Sequence, residues 1–291
     1  MNKDDQDRWK DEILHHVFAA IAGSEPLRRA LIFKGARILA RYLGENRQSL
    51  DIDTNLDTEF CHENSNLSAQ KRYLEDHLPR ALRRYFESQN PVRFSLESVK
   101  VQQNLHHRHP RGWDAFLVKI AVKDHQRPGV HGLPVLRIDV AAPEKFGPDA
   151  LTEIELSPGL QIRAYSLHRI AGEKLRAFLT SLPAYRNRMG GGMREHRVKD
   201  LHDVARIVRV ELVPGISFWR KAAAEFRFAC EARLVNCSGW DSFAEGWAAT
   251  REQYEQDRTL TGVAFSEAGA AVRDVIGYFE AIGIFPLNFP E

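Results

Sequence analysis

Hydrophobic positions in residues 8–22 recur at three- and four-residue steps, at Trp9, Ile13, Leu14, Val17, Phe18 and Ile21. That spacing predicts an amphipathic helix ending near Gly23-Ser24. The apolar run Leu31-Ile32-Phe33 stops at Lys34-Gly35, and Ile38-Leu39-Ala40-Arg41-Tyr42-Leu43 resumes at helical spacing. Strand, glycine turn, helix is the reading there. Residues 50–56 read as a second strand with acids inside it. Residues 69–86 read as a long helix with Leu74, Leu78, Ala81, Leu82 and Phe86 on one side. Residues 92–101, 115–122 and 135–141 have strand character, with a polar turn from Lys123 to Gly129.

After about residue 163 the periodicity changes. Residues 165–182, 197–211, 217–234, 243–258 and 266–282 all favour helix, with no convincing strand among them. Pro214-Gly215 and Cys237-Ser238-Gly239 punctuate these segments, and Gly190-Gly191-Gly192 reads as a loop. The expected fold class is α+β, with a mixed sheet and flanking helices in a domain of residues 1–162. A helical domain, residues 163–291, is expected to follow.

Composition supports a folded chain. Of 291 residues, 43% are hydrophobic and 27% charged, which excludes disordered, collagen-like and disulfide-scaffold classes. The formal net charge of +2 advertises neither a nucleic-acid nor a membrane binder, but the total hides a distribution. Residues 163–210 carry 11 basic against 4 acidic side chains, whereas residues 211–291 carry 7 against 12. Such a basic segment suggests anion handling, and solvated helix faces are the competing reading. Cys61, Cys230 and Cys237 show no metal-binding spacing and read as reduced thiols. With a polar opening segment and no long apolar run, a cytoplasmic protein without membrane association is expected.

The acids of the second strand carry the chemistry. Alternation in a strand puts Asp51 and Asp53 on one face, about 7 Å apart, where two carboxylates repel each other unless cations or donors neutralise them. Two Mg²⁺ ions would do so and would serve in-line nucleotidyl transfer. Solvated acids in an edge strand are the alternative. A third acid, Asp139, shares a strand face with Arg137 in Val135-Leu136-Arg137-Ile138-Asp139-Val140, either as their ion pair or as a third metal ligand. Lys34-Gly35 sits at a strand-to-helix junction, where free N–H groups attract anions; a plain tight turn is the alternative.

Taken together, Phe33-Lys34-Gly35-Ala36 and Arg47-Gln48-Ser49-Leu50-Asp51-Ile52-Asp53 resemble the AbiEii/AbiGii nucleotidyltransferase toxins of the DNA polymerase β-like superfamily. Ile170-Ala171-Gly172-Glu173-Lys174-Leu175-Arg176-Ala177 and Arg197-Val198-Lys199-Asp200-Leu201-His202-Asp203 are similar to two further motifs of that family. The resemblance spans roughly residues 31–207. One departure stands out, because Ala36 and Arg37 occupy positions where the family has a second glycine and then Ser or Thr. A guanidinium forks where a hydroxyl donates once.

The resemblance implies transfer of a nucleoside monophosphate from an NTP to an acceptor hydroxyl, with tRNA as one acceptor. It also implies a winged-helix antitoxin as partner. Asp51, Asp53 and Asp139 would bind two Mg²⁺ ions, and Lys174 and Asp200 would join them as catalytic residues. Lys34, Gly35, Ala36, Arg37, Ser49 and Lys174 would bind the nucleotide. Rival readings are a catalytically silent nucleotide- or RNA-binding protein, favoured by Ala36-Arg37, and an enzyme that nucleotidylates small molecules such as antibiotics. His106-His107-Arg108-His109 lacks a matching set of ligands and reads as loop histidines rather than a zinc site.

Overall fold

The computed structural model describes residues 1–44, 49–105, 114–130, 132–188, 195–213 and 216–289. The His106–His109 cluster, the three-glycine loop, Arg47, Gln48, Arg194 and Pro214-Gly215 lie outside the described residues. Two compact units emerge. The first comprises residues 1–144 and 152–165, the second residues 145–151 and 166–291.

In the first unit the chain runs α1 (Lys3–Ala22), α2 (Glu25–Ala30), β1 (Leu31–Lys34), α3 (Gly35–Leu43), β2 (Ile52–Leu56), α4 (Thr58–Glu63) and α5 (Leu67–Glu87). Strands β3 (Phe94–Leu105), β4 (Asp114–Asp124), β5 (Leu136–Ala141), β6 (Leu151–Ser157) and β7 (Leu160–Tyr165) follow. Seven strands form one sheet in the order β3-β4-β5-β2-β1-β7-β6. It is mixed, with β2 parallel to β5 and β1 parallel to β7, while β1–β2, β3–β4 and β4–β5 are antiparallel. The apolar stripes of the sequence form the core on one side of it. Trp9, Ile13, Leu14 and Val17 of α1 and Leu74, Leu78, Leu82 and Phe86 of α5 are buried. So are Phe116, Val118, Ile120 and Val122 of β4 and Leu136, Ile138 and Val140 of β5. Alternation then leaves Leu117, Lys119, Arg137 and Asp139 on the opposite face.

Two details depart from the sequence reading. Strand β2 begins at Ile52, so Asp51 precedes the strand instead of lying within it. The β6–β7 hairpin was not anticipated. Its Pro158-Gly159 turn, with Gly159 at φ +76°, and the alternation Glu153-Ile154-Glu155-Leu156 are ordinary hairpin signals. Exposed Glu153, Glu155 and Ser157 make β6 a polar edge strand with little apolar signal.

The second unit is helical, with α6 (Leu167–Ser181), α7 (Pro183–Arg188), α8 (Val198–Val210), α9 (Ile216–Arg233), α10 (Trp240–Ala244), α11 (Trp247–Gln256) and α12 (Phe265–Ala281). The single helix expected over 243–258 is divided, because Gly246 adopts the left-handed conformation at φ +73° between α10 and α11. Helices α6 and α9 cross closely. A Cβ on Gly172 would stand 2.6 Å from the Phe226 backbone nitrogen, so the glycine of the Ala-Gly-Glu-Lys motif is required for packing. Beside it the guanidinium of Arg169, fully buried, bonds Glu225 at 3.0 Å and Glu173 at 3.4 Å. Among the described residues, no helix is long and apolar enough to cross a membrane.

Candidate active site

Parallel pairing of β2 with β5 sets Asp53 directly beside Asp139. Asp51, two residues before Asp53, completes the group. Each of the three acids offers an oxygen within 4.8 Å of the other two. Burial and the Asp51 carboxylate push the Asp139 carboxyl above its ordinary pKa, while Arg137 and Lys34 pull it down. Arg137 makes no ion pair among the described residues, so the simple Arg137–Asp139 bridge is not formed. Three hard oxygen donors converging in mutual repulsion suit a divalent cation such as Mg²⁺.

The residues around this group hold it in shape. Gly35 opens α3 at φ +78°, and a Cβ there would lie 2.0 Å from Oδ2 of Asp53. The glycine is thus needed twice, for its backbone conformation and because the Asp53 carboxylate packs against its Cα. That carboxylate lies by the N-terminus of α3, an end that favours negative charge. Lys34, on the strand antiparallel to β2, pairs in register with Asp53 and lies over the Tyr165 ring at 5.6 Å.

Arg37 has a role that its sequence position does not reveal. Its guanidinium donates to the Ser49 carbonyl at 2.7 Å, the Asp51 carbonyl at 3.4 Å and the Asp11 carboxylate at 2.9 Å. Asp11 Oδ1 in turn accepts from the Ser49 amide at 3.3 Å, and the Ser49 hydroxyl donates to the Asp51 carbonyl and carboxylate. Arg37 and Ser49, expected to meet the nucleotide, clamp the segment that presents Asp51 onto α1. Asp11 was missed because it lies 26 residues from Arg37. No local spacing joins them.

Lys174 and Asp200, the other expected catalytic residues, lie together in the helical unit. The Lys174 ammonium bonds Asp200 and Asp203, each at 2.7 Å. Arg197 also contacts Asp200, and Arg206 stands 3.7 Å from Asp203. Burial alone would lower the Lys174 pKa, but the two carboxylates raise it above the ordinary lysine value. Burial would likewise raise Asp200, and Lys174 and Arg197 overcome it and lower its pKa. Asp203 shares the lysine equally with Asp200.

The basic segment is also more engaged than its charge suggests. Arg163 pairs with Asp57, Arg169 with Glu225, Arg176 with Glu173, and Arg209 with Glu267. Arg197 and Arg206 are paired as well, although Arg163, Arg197 and Arg209 stay partly exposed.

The family model for the nucleotidyl transferase AbiEii toxin of type IV toxin–antitoxin systems matches residues 18–271. No curated protein matches the chain. The matched span includes the Lys34-Gly35 turn, all three converging acids, and the helices of Lys174 and Asp200. On a match of that extent, this chain belongs to the AbiEii family, the nucleotidyl transferase toxins of type IV toxin–antitoxin systems.

Proposed function

We propose that this protein is a metal-dependent nucleotidyltransferase that moves a nucleoside monophosphate from an NTP to an acceptor hydroxyl, with release of pyrophosphate. The observation that carries this reading is the convergence of Asp51, Asp53 and Asp139 within 4.8 Å at the centre of the sheet. These three would hold two Mg²⁺ ions. When bound, such ions offset the charge of the phosphates and lower the barrier to in-line displacement. Asp139, exposed and beside Asp53, takes the proton from the acceptor hydroxyl. The Arg37 clamp keeps Asp51 at its post, and Gly35 keeps the Asp53 carboxylate seated against the α3 turn. Lys34, with no ion pair among the described residues, has its charge available for a triphosphate. Lys174 and Asp200 are assigned to the reaction on their motifs alone.

RNA, tRNA in particular, is the proposed acceptor class, and a winged-helix antitoxin the proposed partner; both readings follow from the family. The catalytically silent alternative rested on Ala36-Arg37. Arg37 supporting the Asp51 segment argues instead for a preserved site. Incubation of the purified protein with α-³²P-labelled NTPs, Mg²⁺ and total RNA should label RNA, and Asp51→Ala should reduce the label by at least about a hundredfold. Equal labelling by both proteins would refute the mechanism.

A further inference from the structure

The open face of the sheet carries a second feature that the sequence reading did not isolate. In the strand register Lys100 of β3 lies directly opposite Lys119 of β4, and Lys119 directly opposite Arg137 of β5. Residues in register share a face, so three cations stand in a row across three adjacent strands. Strand spacing of about 4.8 Å makes that row roughly 10 Å long. Like charges directly opposite destabilise a sheet. None of the three has an ion-pair partner among the described residues, in contrast to Arg163, Arg169, Arg176, Arg197, Arg206 and Arg209.

The row has a direction. Arg137 is two residues from Asp139 on β5, so the row starts at the carboxylates and runs outward towards β3. On the other side of the carboxylates lie β1 and the Lys34-Gly35 turn. An open groove of about 650 Å³ is lined by Lys10, Lys119 and Arg137 of this basic face together with Asp51 and Asp139. Leu50 and Val135 also line it, 39% and 48% exposed, and so offer apolar contact within the groove.

We infer that the Lys100–Lys119–Arg137 row is the binding track for the phosphate backbone of an RNA acceptor, with Leu50 and Val135 offering apolar contact to its bases. Phosphates along the row relieve the repulsion that the sheet otherwise carries, and the track leads the acceptor strand to the carboxylates from the side opposite Lys34. Two substrates entering from opposite sides is the arrangement that in-line displacement needs. This inference rests on the nucleotidyl-transfer reading for the meaning of the track, but its binding test does not.

The test is fluorescence anisotropy with a 5′-labelled 12-nucleotide single-stranded RNA in EDTA, so that no turnover occurs. Lys100→Ala with Lys119→Ala should bind this RNA about tenfold more weakly, and the slope of log affinity against log salt should fall by roughly 1.4, about 0.7 for each charge removed. A control removing two paired surface charges, Lys71→Ala with Arg251→Ala, should lose less than about twofold, because salt-screened exposed charges outside the track contribute little. Thermal stability of the row variant should be unchanged or higher, since a repulsion is removed; this separates lost binding from lost fold. Unchanged RNA affinity would overturn the inference. So would a loss confined to a non-hydrolysable NTP measured with Mg²⁺, which would give the row to the triphosphate. Polyglutamate competing as well as unlabelled RNA at equal charge would also contradict it, pointing to an acidic protein. If wild type binds RNA through the row yet labels none, the track stands and the transfer reading fails.

Discussion

Two groups of aspartates in this protein meet the same electrostatic problem in opposite ways. In the helical unit, Asp200 and Asp203 are buried, and each is 2.7 Å from the Lys174 ammonium. Arginines 197 and 206 add to the compensation. In the sheet unit, Asp51, Asp53 and Asp139 converge with carboxylate set against carboxylate, and Asp139 is pushed up in consequence. A folded protein whose acids are meant only to hold it together brings the cations with them, because an unpaired buried charge is destabilising by several kcal/mol. Acids gathered carboxylate against carboxylate instead turn several hard oxygen donors towards one point, a donor set that suits a divalent cation. The cations repeat the lesson in mirror image: Arg169, Arg176, Arg197, Arg206 and Arg209 are each paired with a carboxylate, while Lys100, Lys119 and Arg137 face each other across the strands.

The comparison can be broken most forcefully at Lys174. Lys174→Met leaves two buried carboxylates facing each other and should cost about 3–5 kcal/mol in denaturant unfolding. Its pH dependence follows from the directions of the shifts. The depressed Asp200 contributes stability that is present above roughly pH 4 and lost as pH falls through its lower folded value. The raised Lys174 contributes stability complete below roughly pH 10.4 and lost as pH rises through its higher folded value. The penalty of Lys174→Met should therefore be largest near neutral pH, where both carboxylates ionise on unfolding, and shrink below pH 4. A penalty under 1 kcal/mol would show that Lys174 does not compensate the two buried carboxylates.

A smaller effect is expected at Arg37, where the two functions meet. Arg37→Ala removes the donors to Ser49, Asp51 and Asp11 and should destabilise by about 1.5–3 kcal/mol, the range for hydrogen bonds involving a charged group. Divalent-cation affinity should fall as well, because the Asp51 segment loses its anchor. Arg37→Lys should recover little of either, since one ammonium cannot fork to three oxygens. Calorimetric Mn²⁺ titration beside thermal unfolding distinguishes this from plain destabilisation.

How much of this was legible in the sequence depends on the range of the interaction concerned. The α+β class and the family were legible because hydrophobic periodicity and short motifs are local. Asp139 could be associated with Asp51 and Asp53 because its strand carries an acid at an alternating position, although only the β2–β5 register places it beside Asp53. The β6–β7 hairpin was legible and overlooked, its edge strand too polar to attract notice. The contacts of Arg37 with Asp11 and Ser49 are not legible in the sequence, since α1 brings Asp11 to it only by packing. Ion pairing within the basic segment is not legible from its charge count, because Glu225 is 56 residues from the Arg169 it neutralises. The lysine row escaped for the same reason, its members being ordinary polar positions until the register aligns them.

The central claim is that the sheet acids await a cation and the helical acids do not. Mn²⁺ titration by isothermal calorimetry, comparing wild type, Asp51→Asn with Asp139→Asn, and Asp200→Asn, tests it most directly. Wild type and Asp200→Asn should bind Mn²⁺ alike, while the double variant should lose binding by at least about a hundredfold, as expected when charged oxygen ligands are removed. The double variant alone should show no Mn²⁺-induced rise in melting temperature. Equal Mn²⁺ binding by wild type and the Asp51/Asp139 double variant would contradict the account.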